Sequence, residues 1–296
     1  MSNHHVVRWG RRAFLGSVPL VGAAGFFSLT ARPSAAEPPP DKGNPPMPSK
    51  ERVELHDGAL RLPAQVARPH TPGVHPALIV APGGMEQGVI PAYDWIASRF
   101  AAAGYVTLTI TYRAKQPVHD PQDVLVGLDW LAQQPDVAPQ RCGIFGHSRG
   151  GLTALRTAAQ DPRLRSVVSF AAPTNIPHYV RSVASFAPSR YQQAVEWMGG
   201  TPDELPERYA LLRGLSYADR IRQPVLLIQG TLDMITPLDH ALWMERALRE
   251  AGNQQVQIEL IDRMGHFCEL ASQGYQFDRV AGLAMQWFAQ TLPEGS

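Results

Sequence analysis

A chain of 296 residues is long enough for one large α/β domain or two smaller ones, with a sizeable core. Hydrophobic residues make up 44% and charged residues 18%, the mix of an ordinary globular protein. With 27 Lys and Arg against 26 Asp and Glu the formal charge is +1, which excludes the basic balance expected of a nucleic-acid partner or an anionic surface.

The first 36 residues stand apart from the rest of the chain. Paired Arg11 and Arg12 precede Phe14 and Leu15, an apolar stretch runs from Ser17 to Ala31, and small residues lead to a cleavage position after Ala36. The pattern resembles the twin-arginine (Tat) export signal, matched by Arg11, Arg12, Phe14 and Leu15. The apolar core is about 15 residues against the roughly 20 that a membrane span needs. The reading is therefore export to the periplasm or beyond, with no stable membrane span after signal removal. Residues 37–51 form a linker: six prolines fall between Glu37 and Lys50, removing backbone donors and disfavouring helix. The folded domain is expected from about Arg52 to the end.

Two opening strands, RVELHD and LRLPAQVARP, come first, the second alternating apolar positions at Leu62, Ala64 and Val66. PALIVAPGG is a continuous apolar strand ending in glycines, as expected of one buried on both faces. DWIASRFAAAG reads as a helix stopped by Gly104, and YVTLTITYR as another buried strand. DPQDVLVGLDWLAQQP is helical, with Val124, Leu128 and Leu131 on one stripe. Next come strand RCGIF, a tight turn, helix LTALRTAA and strand RSVVSFAAP. Thr174 to Arg222 breaks the alternation. It is rich in proline and in large side chains (Tyr179, Phe186, Tyr191, Trp197, Met198, Tyr209), and reads as a helical insertion lying as a lid over a site. Strand PVLLIQG, helix PLDHALWMERALREAG, strand VQIELID and a last helix close the chain. Eight strands alternating with helices predict a mainly parallel sheet covered on both faces.

The turn after RCGIF is Gly146-His147-Ser148-Arg149-Gly150, a G-x-S-x-G pentapeptide. Its glycines let strand and helix approach closely while the serine hydroxyl stands at the sheet edge. The backbone N–H of Arg149, opening the helix, faces where an oxyanion would form. A serine needs a base, and the base an anion to hold its tautomer. Ten histidines fall to eight once the signal is set aside, at 56, 70, 75, 119, 147, 178, 240 and 266. Only His266 follows a strand end on the edge that holds Ser148, in the loop RMGHFCEL. His147 should point away from Ser148, and His240, in a helix, is expected to be solvated or capping. For the acid, Asp233 lies on the turn after PVLLIQG, whereas Asp262 suits the strand end and Asp239 the first turn of a helix. The choice is Asp233. The second oxyanion donor is expected from Pro82-Gly83-Gly84-Met85, at Gly84 or Met85. Cys142 and Cys268 are expected as separate buried thiols, because Cys142 lies roughly 15–20 Å down an extended strand from Ser148. No metal, nucleotide or other cofactor motif is present: H-E-x-x-H is missing and the thiols are single.

The order Ser148, Asp233, His266 along an alternating chain resembles the α/β-hydrolase fold, and the likeness runs from Arg52 to Leu292. It is closest to the catalytic domain of the prolyl oligopeptidase (S9) family and to dienelactone-hydrolase-like esterases, through Thr111 to Arg113 (TYR), GHSRGG, LSYADRIRQPVLLIQGTLDMITP and Gly265 to Phe267. The resemblance implies Ser148, Asp233 and His266 as a catalytic triad acting through an acyl-enzyme. The sequence reading is a carboxylic-ester hydrolase taking a small-molecule ester, with an S9-like exopeptidase or amidase as alternative and a non-catalytic binding protein as a minor one.

Overall fold

The computed structural model describes residues 48–85, 88, 90–113, 117–268 and 275–292. The expected export signal, and residues 37–47 of the expected linker, lie outside the described residues. Eight strands form one sheet in the order β1-β2-β4-β3-β5-β6-β7-β8. These are β1 (Ser49–Asp57), β2 (Leu60–Arg68), β3 (His75–Ala81), β4 (Val106–Thr109), β5 (Val137–His147), β6 (Leu164–Phe170), β7 (Val225–Gly230) and β8 (Val256–Ile261). β2 runs antiparallel to β1 and β4, and every other pair is parallel.

The hairpin β1–β2 corrects the expected domain start. Asp57 pairs with Leu60 across a two-residue turn in which Gly58 takes φ +57°, and the register then carries pairing back to Ser49 opposite Arg68. Ser49, Lys50 and Glu51 therefore belong to the sheet and not to the linker. A partner strand, which local composition does not reveal, decides the boundary.

Side chains along a strand alternate between faces, and the core divides accordingly. Ile79, Ile144, Val167 and Leu227 face α2 (Asp120–Ala132), α3 (Arg149–Ala158) and α7 (Asp239–Glu250), where Val124, Leu128, Leu155 and Leu248 meet them. Their neighbours Leu78, Phe145, Val168 and Leu226 face α1 (Asp94–Ala102) and α8 (Tyr275–Thr291), against Ile96, Phe100, Val280 and Phe288. The expected stripe Val124, Leu128, Leu131 is buried in the first of these layers.

Between β6 and β7 stand α4 (Ile176–Phe186), α5 (Pro188–Met198), the short α6 (Pro206–Ala210) and a 3-10 turn over Gly214–Arg220. Tyr179, Val183, Met198 and Tyr209 make a separate small core there, seated on Leu152 of α3. Most of the insertion's large residues thus hold its helices together. Phe186 is exposed, and Trp197 alone of the aromatics named from the sequence lines the main cavity. Both cysteines are free and buried, and no helix among the described residues is long and apolar enough to cross a membrane.

Candidate active site

In a parallel sheet the residues just past the strand C-termini share one edge. Here β3 delivers Gly83, Gly84 and Met85 to that edge, β5 delivers Ser148, β7 delivers Asp233 and β8 delivers His266. Ser148 sits between β5 and α3 with φ +55° and ψ −119°, a left-handed conformation that a serine adopts only under constraint. The constraint is visible. Its N–H donates to the carbonyl of Phe170 at 2.8 Å, and its own carbonyl receives the N–H groups of Gly151 and Leu152. The hydroxyl is left facing the cavity.

His266 Nε2 lies 2.9 Å from Ser148 Oγ, and its Nδ1 lies 2.8 Å from Asp233 Oδ2. The Asp233 carboxylate also receives the N–H of Ile235 at 2.9 Å, the N–H and hydroxyl of Thr236 at 2.8 and 2.7 Å, and the side-chain amide of Gln229 at 3.0 Å. Burial disfavours its charge, but the bond from His266 and those from Thr236 prevail and hold the carboxyl below its ordinary value. An ionised Asp233 accepts a hydrogen bond from Nδ1–H, which keeps the proton on Nδ1 and leaves Nε2 as the acceptor for the serine O–H. The arrangement can move a proton from Ser148 to His266 and stabilise the resulting imidazolium.

Of the alternatives weighed in the sequence, Asp262 receives the hydroxyl of Thr231 at 3.3 Å in an exposed position, and Asp239 stands in the first turn of α7. Neither meets His266. Arg149 opens α3 as expected, and its buried guanidinium points away, bonding Asp120 at 2.7 and 2.6 Å between Tyr112 and Trp197, whose ring centroids lie at 4.2 and 5.1 Å. Through Trp197 the nucleophile turn is tied to α5. Gly84, at φ +96°, and Met85 line the same cavity as Ser148, and Gly83 packs so close that an added Cβ would lie 3.0 Å from Ser148 Cβ.

That cavity has a volume of about 780 Å³. Its lining includes the aromatic side chains of Tyr93, Trp95, His147, Phe170, Phe267 and Phe277, and α5 contributes Arg190, Gln193, Glu196 and Trp197. Among the described residues no cluster of His, Cys, Asp and Glu could hold a metal ion.

Three surroundings escape a reading of the sequence. Gln229 and Thr236 brace Asp233. The pattern Asp233-x-x-Thr236, an acidic turn residue answered three positions on, is the one local signal for them. Tyr93 and His147 meet at 2.8 Å across 54 residues, and nothing local foretells that. His240, expected to be solvated or capping, is not solvated. It is buried, and its Nδ1 accepts the N–H of Asn175 at 3.3 Å where the insertion begins.

Acid stability follows from these groups. Burial pushes His147 down to about 3 and His240 down to about 4, so both are neutral in the folded chain at pH values where the unfolded chain protonates them, near 6.5. Between about pH 6.5 and 4 the unfolded state binds more protons, so stability is full above that window and is lost as pH falls through it. Asp233, held low, acts with the same sign at still lower pH. The unfolding free energy read from urea titrations is expected to fall steadily from pH 7 to 4.5, by at most about 2.5–3 kcal/mol per buried histidine over that range. A midpoint independent of pH would show these rings charged in the folded protein.

The model of the prolyl oligopeptidase family (peptidase S9) matches residues 91–294. The uncharacterized peptidase YtmA of Bacillus subtilis (strain 168) is 28% identical over 201 residues, covering 64% of this chain and 76% of that protein. Acylamino-acid-releasing enzyme 2 of Oryza sativa subsp. japonica is 25% identical over 203 residues, covering 60% of this chain and only 26% of the relative. Among solved structures, Pyrococcus horikoshii acylaminoacyl peptidase superposes with a TM-score of 0.69 at 20% identity, over 85% of this chain and 43% of that one. Est1E from Butyrivibrio proteoclasticus superposes with a TM-score of 0.65 at 14% identity, over 82% and 99%. These structural likenesses establish the α/β-hydrolase fold with its eight-stranded, mainly parallel sheet.

Proposed function

The chain belongs to the prolyl oligopeptidase family, and on that premise we propose that it is an exported serine hydrolase that cleaves amide bonds of short acylated or aminoacyl substrates. The hydrogen-bonded series Ser148, His266, Asp233, with Ser148 facing a deep cavity, carries the proposal. Ser148 Oγ attacks the acyl carbon while its proton passes to His266 Nε2. The carbonyl electrons become an oxyanion held by the N–H groups of Arg149 and of Gly84 or Met85. When the oxyanion collapses the bond to the leaving nitrogen breaks, and that nitrogen takes the proton from Nε2. Water then repeats the sequence on the acyl-enzyme and frees Ser148. Asp233 orients His266 throughout.

The relatives named as a peptidase and as an acylamino-acid-releasing enzyme support the amide bond. The ester hydrolase expected from the sequence is the second reading, favoured by the aromatic lining at Trp95 and Phe277, whose ring centroids lie 4.7 Å apart and suit an acyl chain. The two differ in leaving group. A site that protonates an amine as it departs also releases an alcohol, whereas an ester site need not serve an amine. The test is a panel of p-nitrophenyl esters, acetyl to palmitoyl, beside acylated and free aminoacyl p-nitroanilides. Anilide turnover within about a hundredfold of the best ester is expected, a gap of under 3 kcal/mol in activation free energy. Ester turnover with silent anilides would move the assignment to esterase. Export rests on residues 1–36, and a mature chain beginning at Glu37 is the expected product.

A further inference from the structure

Three hydrogen bonds run behind Ser148 and join the backbones on either side of it. The N–H of Gly83 donates to the hydroxyl oxygen of Tyr93 at 2.6 Å. Tyr93 Oη lies 2.8 Å from His147 Nδ1, and His147 Nε2 lies 3.0 Å from the carbonyl oxygen of His266. The proton order is fixed by chemistry. A carbonyl oxygen only accepts, so Nε2 of His147 carries the hydrogen and Nδ1 of the neutral ring must accept. Tyr93 therefore donates to Nδ1 and spends a lone pair on Gly83. Every donor has its acceptor, and all of them point the same way, from Gly83 to His266.

Burial holds the members in the states this order needs. His147 stays neutral, its value lowered to about 3, and Tyr93 keeps its proton, its value raised to about 12, with burial the leading cause in both. The His147 ring is further fixed by stacking on Phe170, with centroids 4.7 Å apart. Each end of the series is the backbone of a residue next to the chemistry. Gly83 precedes the two candidate oxyanion donors and abuts Ser148, and the carbonyl that receives His147 belongs to the base itself.

We infer that Tyr93 and His147 are positioning residues, forming a relay that fixes the oxyanion loop after β3 and the base loop after β8 against the nucleophile between them. Both rings line the cavity beside Ser148, and their polar atoms are engaged with each other and with the two backbones. They act by holding two backbones, and a displacement of about 1 Å at such a site can cost on the order of a hundredfold in rate. The inference rests on the assignment of Ser148 as nucleophile and His266 as base.

The test uses Tyr93→Phe, His147→Leu, His147→Gln and the pair Tyr93→Phe/His147→Leu. It reads kcat, KM, the urea midpoint and the rate at which a p-nitrophenyl alkylphosphonate labels Ser148. Tyr93→Phe removes one oxygen and cuts the arm to Gly83. His147→Leu cuts both arms, and His147→Gln keeps an amide N–H where Nε2 stands. The expected result is a fall of about ten- to a hundredfold in kcat and labelling for Tyr93→Phe, with KM within about twofold. His147→Leu should lose at least as much, His147→Gln should recover part of it, and the double variant should be no worse than His147→Leu, because the members act as one unit. Folded Tyr93→Phe with wild-type kcat and labelling overturns the relay, and so do losses that multiply in the double variant. If His147→Leu does not fold, Tyr93→Phe decides alone. A wild-type chain that the phosphonate does not label overturns the nucleophile assignment and the relay with it; a labelled wild type beside equally reactive variants overturns the relay alone.

Discussion

Ser148→Ala is expected to lower kcat by about 10⁴–10⁶-fold on whichever substrate the panel identifies, with the urea midpoint unchanged. Ser148 Oγ lies 2.9 Å from His266 Nε2, and removing it takes away the oxygen that forms the acyl-enzyme. His266→Ala should cost nearly as much, because an unassisted serine hydroxyl is a poor nucleophile at neutral pH. The informative variant is the double one. If the two residues form a single device, Ser148→Ala/His266→Ala is no slower than Ser148→Ala, since the second deletion removes a base with nothing left to deprotonate. The residual rate should come from binding and from the oxyanion donors alone. Measurement of kcat for the three variants on purified mature chain decides the matter. Ser148→Ala retaining more than a few per cent of wild-type turnover would place the nucleophile elsewhere.

The parts of the site that can be read from the sequence are those whose geometry is local. Gly146 to Gly150 declares a strand, a turn and a helix within a few residues, so the placing of Ser148 comes from spacing. Asp233 and His266 are far from it in sequence, but both come after strands, and in a parallel sheet all strands end on one edge. Topology does for them what spacing does for Ser148. His240 shows where such reasoning stops. A polar residue on an amphipathic helix is assigned to solvent or to a cap by default, and only the folded insertion shows that Thr174 and Asn175 cover it. Tyr93 and His147 fail for a related reason. Their meeting depends on side-chain directions from two elements, and divergence from Ser148 says nothing of what lies behind the residue beside it. The insertion's aromatics are ambiguous in sequence because a small core and a cavity wall draw on the same residue types. Packing assigns Tyr179 and Tyr209 to the first, whereas Trp197 packs on that core and also lines the cavity.

Gly150→Ala should unfold or severely destabilise the chain, by about 3–5 kcal/mol, although helix propensity alone predicts a gain of up to about 1 kcal/mol. Gly150 is the second residue of α3, where alanine would ordinarily be welcome. A β-carbon there would fall on the carbonyl oxygen of Ala81 and within 2.8 Å of the carbonyl oxygen of Pro82. Those atoms belong to the backbone at the end of β3, and they cannot swing aside as a flexible side chain would. To make room, α3 must move off β3, carrying Ser148 at its N-terminus away from the loop that begins at Pro82. Stability and catalysis should therefore fall together, with overpacking as the cause. Gly282→Ala is the control. Gly282 lies in α8 with nothing within 4 Å of the added carbon, so propensity acts unopposed and the urea midpoint should rise, by about 0.5–1 kcal/mol. Urea titrations of both variants separate the two effects. A Gly150→Ala chain as stable as wild type would mean that α3 does not approach β3 this closely, and the elbow would then owe its geometry to something other than the contact between them.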